Sequence, residues 1–100
     1  MAKDDAVTVD PKHYKVEFEN ERVRVLRIKY GPREKSAMHS HPASVIIFIG
    51  DTHGRFNYPD GKSEEIRGQA GQVAWAPPTT HLPENLSDRP LEVVLVELKG

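Results

Sequence analysis

From His13 to Leu98 the apolar residues of this chain recur at every second position, in short runs stopped by glycine, proline, asparagine or aspartate. That is the period of a β-strand, whose side chains alternate between two faces. Tyr14, Val16 and Phe18 alternate with Lys15, Glu17 and Glu19, and Asn20-Glu21 reads as a turn. In the next run Val23 and Val25 are followed by Leu26, Ile28 and Tyr30, a slip of one position at Val25-Leu26 that reads as a β-bulge. Gly31-Pro32 ends it. A further strand is expected from Ala37-Met38-His39 to Ile49, apolar on both faces in its later half and hence buried on both. In so small a sheet protein a second subunit is the simplest cover, so a homodimer is expected with Ile46 and Phe48 as its face. Gly50 to Gly54 reads as a turn. Arg55–Tyr58 and Ser63–Arg67 flank the hairpin signal Pro59-Asp60-Gly61-Lys62. Runs at Gln72–Ala76, His81–Leu86 and Leu91–Leu98 complete a set of roughly nine strands, which implies an all-β sandwich or barrel. No stretch shows sustained helical spacing.

One hundred residues make one domain. Residues 1–11 read as a loose N-terminal arm and 12–100 as the folded domain. The net charge is −1 and no block of like charge exists, so neither nucleic acid nor an anionic membrane is an expected partner. No apolar stretch serves as a secretory signal or a membrane span, and a cytoplasmic location is expected. Cysteine is absent, so any metal must be held by nitrogen and oxygen.

The candidate chemistry lies in His39-Ser40-His41. In a strand, residues i and i+2 project from one face with α-carbons about 6–7 Å apart, close enough for two imidazoles to converge on one ion. His81, on a later strand, is the candidate third ligand. Glu34 and Glu84 are candidate carboxylates, but if 81–85 is extended, Glu84 points away from His81 and Asn85 points with it. His13 and His53 read as surface or turn histidines. Trp75, Phe56, Tyr30 and Tyr58 read as core or interface residues before pocket residues.

These residues resemble two motifs of the cupin superfamily, whose members are small β-barrels of the double-stranded β-helix or jelly-roll type. The first motif, a glycine, His-x-His, a glutamate and a glycine, is matched by Gly31, His39-Ser40-His41, and Gly50 or Gly54. The second is matched by Gly71, Pro77, His81 and Asn85. The link from Gly31 to His39 is long, Thr79 replaces a glycine, and the spacing to His81 is one residue short. Val45 stands where the glutamate ligand is expected, and strand parity points it the same way as His39 and His41. The ends of the chain also resemble short bacterial cupins, some labelled as linked to β-alanine degradation.

The resemblance implies a divalent transition metal on His39, His41 and His81. Iron(II) is favoured, with zinc, manganese, nickel or copper also acceptable to imidazole. Three neutral ligands leave the metal its full charge and open positions, which favours a small anionic chelating substrate. Three-histidine cupins include non-haem iron dioxygenases, so an oxidoreductase of that type is the leading expectation. An oxygen-independent isomerase or lyase and a non-catalytic binding cupin, with or without metal, are the alternatives.

Overall fold

The computed structural model describes residues 4–100 and is built of nine strands and one short helix. A five-stranded antiparallel sheet runs in the order β1 (Tyr14–Glu19), β2 (Val23–Tyr30), β9 (Leu91–Leu98), β4 (Ser44–Phe48), β7 (Val73–Ala76). A four-stranded sheet runs β3 (His39–His41), β8 (Thr79–Asn85), β5 (Thr52–Asn57), β6 (Ser63–Gly68). The core fills the space between them with Leu26, Ile28, Phe48, Val93 and Leu95, joined by Tyr14 and Tyr30. The alternation in the sequence therefore reports one buried face per strand.

The slip at Val25-Leu26 has a different origin from a bulge in β2. That strand pairs with β9 without interruption from Val23–Leu98 to Tyr30–Leu91. The extra residue is on β1: Val16 faces Leu26 and Phe18 faces Val25, leaving Glu17 unpaired in the ladder. Inward parity in β2 runs through Arg24, Leu26, Ile28 and Tyr30, all buried. Arg24 is thus an interior cation in a position that its charge marks as solvent-facing.

The expected long strand from His39 to Ile49 is two strands in different sheets. Pro42-Ala43 carries the chain from β3 to β4, and the alternation restarts at the fully buried Ser44. Phe48 belongs to the core cluster and Ile46 packs on it, so neither is the dimer face expected of them. Val45 and Ile47 point outward, opposite Trp75 and Val73 on β7, which are 59% and 61% exposed. Val45 therefore does not aim at the histidines; parity does not survive a change of sheet.

The turn expected at Gly50–Gly54 is shorter, because Thr52, His53 and Gly54 already belong to β5. Gly68 ends β6 against Phe48: a Cβ there would lie 2.5 Å from the Phe48 ring. Only a residue without a side chain lets the second sheet come that close.

The described part of the N-terminal arm is docked, not loose; residues 1–3 lie outside the described residues. Helix α1 (Ala6–Val9) is capped by Asp5, whose carboxylate accepts the Val7 N–H at 3.2 Å. Asp5 and Ala6 are buried. Asp5 forms an isolated parallel bridge to Ser40, and the Ser40 N–H donates to the Asp4 carbonyl at 2.8 Å. The arm thus lies along β3 between the two histidines of that strand. No helix among the described residues is long and apolar enough to cross a membrane.

Candidate metal centre

Antiparallel pairing of β3 with β8 sets His39 directly opposite His81. His41, two residues on, projects from the same face. The structure therefore brings all three candidate histidines together. Each offers a ligand atom within 4.8 Å of the others, and all three are buried. Ring centroids are 4.8, 5.1 and 5.3 Å apart, with planes at 83°, 90° and 79° to one another. Three nitrogens about 2.1 Å from one ion would sit roughly 3–3.5 Å apart, so a small inward movement of the rings completes a site.

The hydrogen bonds select the tautomers. His39 Nδ1 donates to the Ala37 carbonyl at 2.9 Å, with Ser36 Oγ 3.0 Å away. His41 Nδ1 donates to Glu97 Oε2 at 2.6 Å. A carbonyl or carboxylate oxygen only accepts, so each imidazole carries a proton on Nδ1 and turns its Nε2 away from that bond. His39 Nε2 and both nitrogens of His81 are buried without a hydrogen-bond partner. Two of these, His39 Nε2 and one nitrogen of the neutral His81, carry buried lone pairs that are costly unless a ligand takes them. A divalent transition ion fits that donor set, with no carboxylate among the three ligands.

Burial, reinforced by the neighbouring His41, pushes the His39 imidazolium down to about 4. The same causes, with His39 added, push His81 down to about 3. Both are neutral near pH 7, the state a metal ligand requires. Behind them, Tyr14 packs edge-on to His39 at 4.7 Å. Its hydroxyl is hydrogen-bonded to that of Tyr30 at 2.8 Å. Burial raises both phenols; the shared bond raises Tyr14 further and works against the rise of Tyr30.

His41 and His81 open onto a cavity of about 500 Å³ between the sheets. Ile28, Phe48, Phe56, Ile66, Leu91 and Val93 form much of its wall. Tyr30, Phe56 and Tyr58 also line it, so these three are pocket residues as well as packing residues; the Trp75 side chain is mostly exposed on the outer face. Among the described residues Arg67 is the only lysine or arginine on the lining, and its side chain is 71% exposed and paired with Glu65.

Neither candidate carboxylate joins the histidines. Glu34 accepts from the Gly31 N–H at 2.6 Å, pairs with Lys12, and lies 3.0 Å from His13 Nε2. The Gly31 N–H, with Lys12 and His13, holds its pKa down to about 2. Glu84 points away from His81 as strand parity requires, toward Asn57 and Arg55. Asn85 is buried and ties the Gly31 and Arg89 carbonyls. His53 is a partly exposed histidine paired with Glu65. His13, expected at the surface, is buried between Asp10 and Glu34 and stacked on Tyr30 at 4.2 Å. The carboxylate nearest the site is Glu97, which sequence reasoning missed. The available signal was an acid on the inward face of an apolar strand, in phase with Val93 and Leu95.

No protein-family model and no curated protein matches the chain. Solved structures do. A cupin domain from Bordetella pertussis superposes with a TM-score of 0.80 at 25% identity, over 87% of this chain and 92% of that one. A Klebsiella pneumoniae protein with a double-stranded β-helix domain gives 0.69 at 23% identity, over 87% and 76%. Bacillus subtilis oxalate decarboxylase, a protein with Mn(II) centres, gives 0.59 at 23% identity; the match covers 77% of this chain but only 22% of that one. The two stacked antiparallel sheets and these likenesses give the chain the cupin fold, a small double-stranded β-helix.

Proposed function

We propose that His39, His41 and His81 bind one divalent transition metal, with iron(II) favoured, and that the protein is an oxygen-using enzyme acting on a small chelating substrate. The observation that carries this reading is the buried cluster of imidazoles with unpaired nitrogens and no carboxylate, opening on a largely apolar cavity. A divalent ion held there would polarise a chelated substrate and, if redox-active, bring dioxygen within its reach. The chain's own part is orientation and exclusion of water. The apolar wall supplies no buried cation to fix an anionic tail. The substrate therefore carries its charge on the chelating head and an uncharged, apolar body beyond it. Tyr14 and Tyr30 line the cavity and stay protonated; one hydroxyl donates to the other, which leaves the pair one proton to offer a substrate oxygen.

The test is oxygen consumption by the iron(II)-loaded protein with β-diketones, thiols and keto acids. Uptake is expected with a β-diketone bearing apolar substituents. No turnover with any of them counts against the proposal. Conversion that continues without oxygen favours an isomerase or lyase on zinc, manganese or nickel; the Mn(II) centres of the oxalate decarboxylase keep that reading open. Stoichiometric binding without conversion favours a binding module.

We also propose that the chain forms a homodimer through the outer face of the five-stranded sheet. Val45, Ile47, Val73 and Trp75 form an outward apolar group that reaches β7, an edge strand. A second copy related by a two-fold axis would cover that group and complete the edge together. Sedimentation should show a dimer for the natural chain and a monomer for Trp75→Glu; a natural chain that sediments as a monomer sinks this.

A further inference from the structure

The metal ligands touch one polar network that no motif marks. Glu97 divides its carboxylate between two partners. Oε1 accepts from Arg24 Nε at 2.7 Å and Nη2 at 2.6 Å, while Oε2 accepts from His41 Nδ1 at 2.6 Å. The guanidinium is gripped from its other side by Asp5, with Nη1 to Oδ2 at 3.1 Å and Nη2 to Oδ1 at 2.5 Å. Asp5, Arg24, Glu97 and His41 are all buried. The four residues come from the N-terminal arm, β2, β9 and β3 and form one hydrogen-bonded line ending at a proposed ligand.

The geometry points to Asp5 as a positioning residue of the metal centre: by holding the Arg24 fork, it leaves Glu97 one oxygen for Arg24 and one for His41. This rests on the three-histidine metal site proposed above. An Arg–carboxylate pair prefers two parallel bonds, one to each oxygen. Without the Asp5 carboxylate the guanidinium loses the two bonds that draw it toward the arm, and its pull toward both oxygens of Glu97 is no longer opposed by them. His41 Nδ1 then loses its acceptor, and with it the bond that fixes ring orientation and tautomer. The effect is selective for His41. The Nδ1 of His39 is held instead by the Ala37 carbonyl and Ser36, on a separate set of bonds. The arm is also anchored a second time, by Asp10 on His13 Nδ1 at 2.7 Å, away from this line. Docking of the arm and alignment of the ligand can therefore be told apart.

The experiment titrates cobalt(II) into the metal-free full chain, reading both affinity and the visible d–d bands. It compares the natural protein with Asp5→Asn, Asp5→Ser and Asp10→Asn. Serine at position 5 can still cap α1, so it removes the charge while keeping the helix start. Each variant is used at a temperature where circular dichroism shows it folded. The expected result is cobalt binding about 10–100-fold weaker in both Asp5 variants, with shifted bands, and nearly unchanged in Asp10→Asn. Affinity and bands equal to the natural protein's in both Asp5 variants would overturn the inference. So would equal weakening in all three variants with unshifted bands, since that marks a general effect of arm docking. If the natural chain itself takes up no cobalt, the metal site falls and this inference goes with it.

Discussion

His81→Ala is expected to lower metal content from about one ion per chain to below roughly a tenth, because three-ligand sites do not survive on two imidazoles. The metal-free protein should lose far less. His81 packs on Phe56 at a centroid distance of 4.4 Å, and losing a buried ring of that size costs about 2–4 kcal/mol. Both of its nitrogens, however, are buried and unpaired. Removing each relieves about 1–3 kcal/mol. The two terms nearly offset, so the melting temperature without metal should move by only a few degrees. The loaded natural protein should gain about 2.7 kcal/mol at a metal concentration a hundred times the Kd, a gain that the variant lacks. Metal analysis after gel filtration and paired melting curves, with and without chelator, check both halves. Full metal retention by the variant would remove His81 from the site.

The second large effect is acid sensitivity of the metal-free form. His39 is pushed down to about 4 and His81 to about 3, against about 6.5 in the unfolded chain. Below pH 6.5 the unfolded state takes up protons that the folded state refuses, so the sign is loss of stability as pH falls. The stability is fully present above 6.5 and is lost through the window down to the folded values. At about 1.4 kcal/mol per pH unit per group, the loss between pH 6 and pH 4 is on the order of 3–5 kcal/mol. Glu34, held down to about 2, adds its own loss only below its unfolded value near 4.5. Above about pH 5 the imidazoles therefore act alone, and the two contributions overlap only below that. Urea unfolding of chelator-treated protein at pH 7, 6, 5 and 4 measures the curve. A flat profile between 7 and 5 would show that the imidazoles are not buried neutral.

Most of the strands were legible because each has one buried face and an audible period of two. β9 appears at its observed bounds, Leu91–Leu98. The histidine triangle was legible too, since His-x-His on a strand and a later histidine need only an antiparallel neighbour to meet. What failed was whatever depends on leaving one sheet for another. Nothing in Pro42-Ala43 announces that β4 belongs elsewhere, so parity carried from His41 to Val45 gave the wrong face. The same step misplaced Ile46 and Phe48. Glu97 was legible in principle, in phase with the inward Val93 and Leu95, but its partners were not. Only the β2–β9 pairing, with the arm laid beside it, makes a buried ionic group of Glu97, Arg24 and Asp5. His13 was missed likewise, because its two carboxylate neighbours come from the arm and from the loop after β2.

The sandwich is fastened at its two ends by unlike means. Near Ser44 and Glu97, the second sheet is joined to the first by the polar link from His41 to Glu97. Four residues along β4, it is joined by an aromatic ring seated on bare backbone, Phe48 on Gly68. The first fastening runs through a residue that an ion would hold, and the second owes nothing to an ion. Removing a bound ion would then loosen the molecule from one side only, like a purse with its clasp undone and its hinge intact.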